Sequence, residues 1–315
     1  MENWIIVFGF AIGLVAIIKG GDYFVDAASW ASEASGIPKF IVGATIVSLA
    51  TTLPEIIVSS MAAYNGSVDM AIGNSIGSII ANTGMILAIS IIFMPVVFDR
   101  SKLIIKAVLF MVIIAALGIL SMSGQLTLGK SLVLFALFGF FIYENIKSAR
   151  ELDEDSTESY SVPKDRKTVI INIIKFVVGT LGIVIGSRLL VNNGTELAII
   201  IGIPESVVGL TAVAIGTSLP ELVTTINAII RKEFSLSAGN IIGANIINAT
   251  LILPICAMIT NGAIPVSART LILDLPVALV IAAIALIPAL IKGRFQRWQG
   301  FTVLGIYIAY VVCLF

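Results

Sequence analysis

The chain has 315 residues, 58% of them hydrophobic and 12% charged, with a formal net charge of zero and a mean hydropathy of +1.07. Soluble domains carry about 25% charged residues, so this is an integral membrane protein, and enzymes built on soluble domains are excluded. Histidine is absent, which removes His metal sites, His general bases and Ser-His or Cys-His nucleophile pairs.

The first residues, Met-Glu-Asn-Trp, lack a basic n-region and a following cleavage site, so the first helix is expected to stay in the protein. Apolar segments long enough to span lie near residues 3–33, 38–64, 69–93, 102–121, 125–147, 168–199, 205–230, 235–260, 270–291 and 297–315, which makes ten candidate helices. On the first, Asp22 and Asp26 at i and i+4 are expected to pair with Lys19 or to sit at the interface, outside any site. Residues 150–167 carry six acids, four bases and no apolar period, and read as a solvated linker. The predicted organisation is a five-helix unit over 1–149, a linker over 150–167 and a second five-helix unit over 168–315. Cys256 and Cys313 offer neither metal-ligand spacing nor a disulfide framework and are expected to pack.

The two units are copies. At an offset of 166 residues, 20–82 aligns with 186–248 without a gap, and 20 of those 63 positions are identical. Gly36-Ile37-Pro38 matches Gly202-Ile203-Pro204; Thr51, Leu53, Pro54 and Glu55 match Thr217, Leu219, Pro220 and Glu221; Gly73, Asn74, Ile76 and Gly77 match Gly239, Asn240, Ile242 and Gly243. Five helices per copy is an odd number, so the second copy enters the membrane from the opposite side, an inverted repeat of the kind secondary transporters use.

Positive charge orients the chain. Of 19 Lys and Arg, 14 fall at the loops after the odd-numbered helices, and only Lys130 and Arg269 lie at the opposite side. The positive-inside rule then predicts a multi-pass cell-membrane protein with both termini extracellular and the long linker cytoplasmic.

Glu55 and Glu221 each lie in the middle of an apolar helix, where a carboxylate costs about 2.5–3.5 kcal/mol and must face a cavity or a partner. No basic residue lies inside the second, third, seventh or eighth helix, so the missing partner is a cation from solution. Oxygen is concentrated on the same faces: Ser48 and Thr51 with Thr52 beside Glu55, and Ala214 and Thr217 with Ser218 beside Glu221. Pro54 and Pro220 lack an N–H and expel the carbonyls of Ala50 and Gly216, so each helix is expected to break there and to offer free carbonyls. The third helix adds Asn74, Ser78 and Asn82 at i, i+4 and i+8, and the eighth adds Asn240 and Asn248 with Asn245. Asn82 and Asn248 are the favoured ligands among these, and the GxxxG pairs Gly73/Gly77 and Gly239/Gly243 are expected to let backbones approach. Two carboxylates among neutral oxygens suit hard cations, and their charge of −2 is balanced by one Ca²⁺, by two or more Na⁺, or by two protons.

Residues 43–55 (GATIVSLATTLPE) with 73–82 (GNSIGSIIAN), and 209–221 (GLTAVAIGTSLPE) with 239–248 (GNIIGANIIN), resemble the two alpha repeats of the cation/Ca²⁺ exchanger superfamily, in particular the prokaryotic sodium/calcium exchangers. The resemblance implies an all-α membrane protein of ten transmembrane helices in two inverted five-helix repeats, with helices 2, 3, 7 and 8 broken around the ions and helices 1 and 6 sliding across them. It implies a Na⁺/Ca²⁺ antiporter that works by alternating access, is not an enzyme, has no cofactor and binds no nucleic acid. Its partners would be Ca²⁺, Na⁺ and the lipid bilayer, and its functional unit the monomer.

Carried over, Glu55 and Glu221 would hold both Ca²⁺ and Na⁺ with Thr51 and Thr217. Thr52, Ser218, the carbonyls of Ser48 and Ala214, Ser78, Asn82 and Asn248 would complete the sodium sites. This chain departs from the family with Ala50 for Gly, Thr52 for Ser and Ala244 for a Ser that supplies one Na⁺ ligand. Asn248 stands where potassium-dependent members carry Asp. The residues themselves leave the counter-ion open, and an H⁺/Ca²⁺ antiporter of the same superfamily is the alternative; a passive channel fits two inverted halves around a midplane site less well.

The loop asymmetry makes a direct prediction. In a Cys313→Ser background, a cysteine introduced by Ser156→Cys should escape impermeant thiol reagents in intact cells and react after permeabilisation; labelling from outside would reverse the orientation.

Overall fold

A computed structural model describes residues 2–94, 100–155, 163, 165–200, 216–260 and 262–314. In chain order its helices are α1 (Glu2–Ser35), α2 (Lys39–Thr51), α3 (Leu53–Tyr64), α4 (Val68–Phe93), α5 (Arg100–Ser121), α6 (Leu128–Asp155), α7 (Arg166–Ile200), α8 (Leu219–Ile230), α9 (Phe234–Ile259), α10 (Thr270–Lys292) and α11 (Arg297–Val312). Two short strands, β1 (Gln125–Thr127) and β2 (Ala263–Pro265), pair antiparallel with Leu126 opposite Ile264. Among the described residues, seven helices are long and apolar enough to cross a membrane, and α2 with α3 makes an eighth, bent span. The protein is thus an all-α membrane fold. Residues 205–215 of the seventh predicted segment lie outside the described residues, and α6 runs into the predicted linker as far as Asp155.

The second helix breaks where expected. Its axis turns by 45° between α2 and α3, with Thr52 at φ −82°, ψ −3° in the joint and Pro54 in the first turn beyond it. Ser218 repeats that conformation, at φ −87°, ψ 6°, ahead of α8 and Pro220. The third and eighth helices differ from the expectation: α4 and α9 each run as one span without such a bend. Their irregularity is a π-helical stretch instead, starting at Asn82 in α4 and at Asn248 in α9. No proline lies in α4 to expel a carbonyl, and in α9 the wider π turn just ahead of Pro254 accommodates its ring without a bend. Asn82 and Asn248 are themselves related by the 166-residue offset, so both copies place the π turn at the same point.

Glycines set two close helix contacts. The long helices α1 and α7 run antiparallel with their backbones touching: a Cβ on Gly13 would lie 2.9 Å from the Gly186 carbonyl, and one on Gly20 2.9 Å from that of Gly179. Phe24 and Phe176 stack at 4.8 Å beside the crossing. Small residues let helices approach this closely where lipid supplies no hydrophobic drive. In the enclosed centre, Gly243 of α9 faces α2 so tightly that a Cβ would lie 2.5 Å from the Ala44 carbonyl and 2.6 Å from Ser48 Oγ. Gly239, one turn earlier, abuts the Phe40 carbonyl in the same way. The second GxxxG pair therefore does bring backbones together, whereas Gly73 and Gly77 have no neighbour within 4 Å among the described residues. Of the cysteines, Cys256 packs with its thiol 3.5 Å from the Ser59 carbonyl, and Cys313 is exposed.

The α2–α9 contact has a measurable consequence. Gly243→Leu must push the two helices apart, at about 1–3 kcal/mol by the usual cost of overpacking, and should lower the melting temperature in detergent. Gly118→Ala on α5, which has open space, should leave it unchanged; equal melting of both variants would contradict the close packing.

Candidate functional site

The break in the second helix, and the turn at Thr217 and Ser218 ahead of α8, place both glutamates in the first turn of a helix. Glu55 is the third residue of α3 and Glu221 the third of α8, where the exposed N–H dipoles of the first turn favour a negative charge. Both residues are fully buried at 0% exposure. Among the described residues no Lys or Arg forms an ion pair with either, and both Glu55 carboxylate oxygens and Glu221 Oε2 have no hydrogen-bond partner. No cluster of three or more His, Cys, Asp or Glu exists among the described residues, so the local charge rests on this pair alone.

Hydroxyls from the joint complete one wall. Thr52 Oγ1 lies 3.4 Å from Glu221 Oε1, which links the break in the first copy to the carboxylate of the second. The Ser48 carbonyl keeps its helical bond from the Thr52 amide at 2.9 Å and also lies 2.6 Å from the Thr52 hydroxyl and 3.3 Å from the Thr51 hydroxyl. Thr51 Oγ1 also donates to Asn240 Oδ1 at 3.1 Å, across the α2–α9 contact that Gly243 permits. On the opposite break, Ser218 is buried with an unpartnered hydroxyl and Thr217 is half-buried. Ala214 lies outside the described residues.

The two π-containing helices form the other wall. Asn74 donates to the backbone carbonyl of Glu55 at 3.4 Å and to Ser59 Oγ at 2.9 Å, so the row Asn74, Ser78, Asn82 on α4 begins beside Glu55. Ser78 and both polar atoms of Asn82 are buried without partners. On α9, Asn248 ties its amide nitrogen to the Ala244 carbonyl at 3.0 Å and leaves its oxygen unpartnered. Ser75 Oγ reaches the Asn248 carbonyl at 2.8 Å, and Asn245 reaches Thr83 at 2.8 Å, so α4 and α9 interlock across the copies. An unsatisfied buried polar atom costs about 1–3 kcal/mol, and here they gather around two carboxylates. Every donor atom is oxygen, the ligand type of hard cations such as Ca²⁺ and Na⁺.

Hydrogen bonds link Glu221, Thr52, Ser48 and Thr51 into one group, whereas Glu55 and Asn248 each meet α4, through Asn74 and Ser75. Asn240, which the sequence places on the oxygen-bearing row of the eighth helix but not among the favoured ligands, holds Thr51. Asp22 and Asp26 lie away from the carboxylates, but their partners are Arg231 and Lys175 rather than Lys19. Lys19 sits one turn before Asp22 on the same helix, whereas α7 and the end of α8 present their cations across the helix contact.

The sequence profile of the sodium/calcium exchanger protein family matches residues 5–147 and 171–315. The sodium/calcium exchanger MaX1 of Methanosarcina acetivorans is 31% identical over 96% of this chain and 97% of its own. The inner membrane protein YrbG of Escherichia coli K12 is 34% identical over 80% of this chain and 79% of its own. The solved structure of the sodium-calcium exchanger NCX_Mj, soaked with Na⁺ and Sr²⁺, superposes with a TM-score of 0.86 at 26% identity, covering 98% of this chain and 99% of that one. With two buried carboxylates at repeat-related positions and a family match across both halves, this chain belongs to the sodium/calcium exchanger protein family.

Proposed function

We propose that the protein exchanges Na⁺ for Ca²⁺ across the cell membrane by alternating access, with Glu55 and Glu221 as the shared ion ligands. The observation that carries this is the pair of fully buried carboxylates with no basic partner among the described residues. Burial makes their charge expensive in the absence of a cation. One Ca²⁺ balances the pair, and Na⁺ bound at the same oxygens displaces it by competing for the same −2 charge. Thr51 and Thr217 assist both ions in this proposal. Thr52, Ser218, Ser78, Asn82, Asn248 and the carbonyls of Ser48 and Ala214 serve Na⁺.

The units over 1–149 and 168–315 act as the two inverted halves, joined by the cytoplasmic linker 150–167, with both termini outside. The antiparallel α1–α7 pair supports that inversion, because these helices are repeat-related. A single chain supplies both carboxylates, so the proposed functional unit is the monomer. MaX1 and NCX_Mj, named as sodium/calcium exchangers, favour Na⁺ over H⁺ as the counter-ion. Ca²⁺ uptake into proteoliposomes driven by a Na⁺ gradient with pH clamped separates the two: uptake that follows only a proton gradient would assign the H⁺/Ca²⁺ reaction instead.

Glu55→Gln or Glu221→Gln preserves shape and removes half of the site charge. Either variant, folded by its melting profile, should lose calorimetric Ca²⁺ binding and exchange; native affinity in either would remove that residue from the site.

Asn248 generates a separate prediction about potassium. With Asn at this position, and Asn82 at its repeat mate, the site keeps a charge of −2, too little to hold K⁺ beside Ca²⁺ where unbalanced positive charge is costly. Na⁺-driven Ca²⁺ flux should therefore persist with choline replacing K⁺ on both sides. A collapse of flux without K⁺ would show that charge counting at Asn248 fails.

A further inference from the structure

The two ends of the α1–α7 pair are built differently. Towards the C-terminal end of α1, Asp26 accepts from Lys175 of α7 at 2.5 Å and from Arg231, just past α8, at 3.2 Å. Asp22 lies 3.5 Å from the second Arg231 nitrogen. A further tie runs through Lys39 at the start of α2, which pairs with Glu33 of α1 at 3.1 Å and with Glu233, ahead of α9, at 2.5 Å. Arg231 and Lys39 thereby fasten α1 to the helices that carry the carboxylates. All of this lies at one end of the fold, around an open cavity of about 470 Å³ whose walls include Asp26, Glu33, Arg231 and Glu233.

The 166-residue offset carries these positions to the opposite end of the antiparallel pair. There Asp22 becomes Arg188, Asp26 becomes Asn192, Lys175 becomes Gly9 and Arg231 becomes Asn65. Glu33, Glu233 and Lys39 become Ile199, Ser67 and Glu205. The duplication kept the ion-site motif in both copies, while the residues of these charged ties are not repeated in sequence. Between α1 and α7 the backbones meet at Gly13–Gly186 and Gly20–Gly179, and the charged ties at the Arg231 end fasten this pair to the helices beside it.

We propose that Asp22, Asp26, Lys175 and Arg231, with the Lys39 tie, form a one-sided ionic latch that holds the gliding α1–α7 pair closed against the core at the Arg231 face. This rests on the alternating-access function proposed above. Half-exposed ion pairs are individually weak, which suits a latch that must open in every cycle, and removing one shifts the balance of the two access states without touching the ion ligands.

The test measures half-saturation for Ca²⁺/Ca²⁺ exchange from each face in vesicles of defined orientation. In Arg231→Gln the half-saturating Ca²⁺ at the Arg231 face should fall and that at the other face rise, changing their ratio about threefold to tenfold, while Arg231→Lys stays within about twofold of native. Asp22→Asn with Asp26→Asn, which removes the opposing charges, should shift the ratio in the same direction. An unchanged ratio in both the Gln variant and the Asp double variant, or equal changes at the two faces, in protein that still exchanges Ca²⁺ would overturn the latch. Absence of Ca²⁺ exchange in the native protein would overturn the antiport function itself, so the two failures are distinguishable.

Discussion

Two carboxylates buried without a protein counter-charge are the constraint on which the rest of this structure depends. Glu55 and Glu221 are fully enclosed, and the fold eases their charge mainly through backbone. The 45° break ahead of α3 and the turn at Ser218 ahead of α8 place each Leu-Pro-Glu triplet in the first turn of a helix, whose dipole favours the carboxylate. Proline contributes twice: it cannot donate to the turn before it, and its fixed φ suits the first turn of the helix that follows. At the joint the Ser48 carbonyl accepts from both the amide and the hydroxyl of Thr52, which sets that hydroxyl beside Glu221.

Holding such a break in register requires a rigid neighbour. That neighbour is α9, the most enclosed span, whose Gly239 and Gly243 admit the α2 backbone and whose Asn240 grips Thr51. The α4–α9 bonds from Ser75 and Asn245 lock the remaining wall. Against this fixed core, α1 and α7 touch each other through glycines and are among the least enclosed spans. The centre is thus held by hydrogen bonds between helices, and the outer pair by glycine contacts with the Phe24–Phe176 stack beside them.

The two copies share their motif and differ in its supports. Asn240 holds Thr51, while its mate Asn74 holds Ser59 and the Glu55 backbone. The same divergence appears in the charges at the ends of α1 and α7. Symmetry of sequence therefore preserves the buried glutamates and the asparagine row, while the partners that hold them differ between the copies.

The family, the all-α membrane fold, the break at Pro54 and the burial of both Glu residues were legible in the sequence alone, because each follows from local chemistry: hydropathy over a span, a ring without an N–H, and a charge that an apolar segment cannot hide. The repeat made the polar positions stand out from a background that is 58% hydrophobic. What only the tertiary structure decided are the features that depend on who sits opposite. The π turns at Asn82 and Asn248 replace the bends expected there, the three-residue strands β1 and β2 are too short to show a period, and Asp22 and Asp26 find Arg231 and Lys175 on other helices instead of Lys19 on their own. A one-dimensional pattern fixes which face of a helix is polar, but the partner that face meets is set by helix packing, and no spacing along the chain encodes that distance.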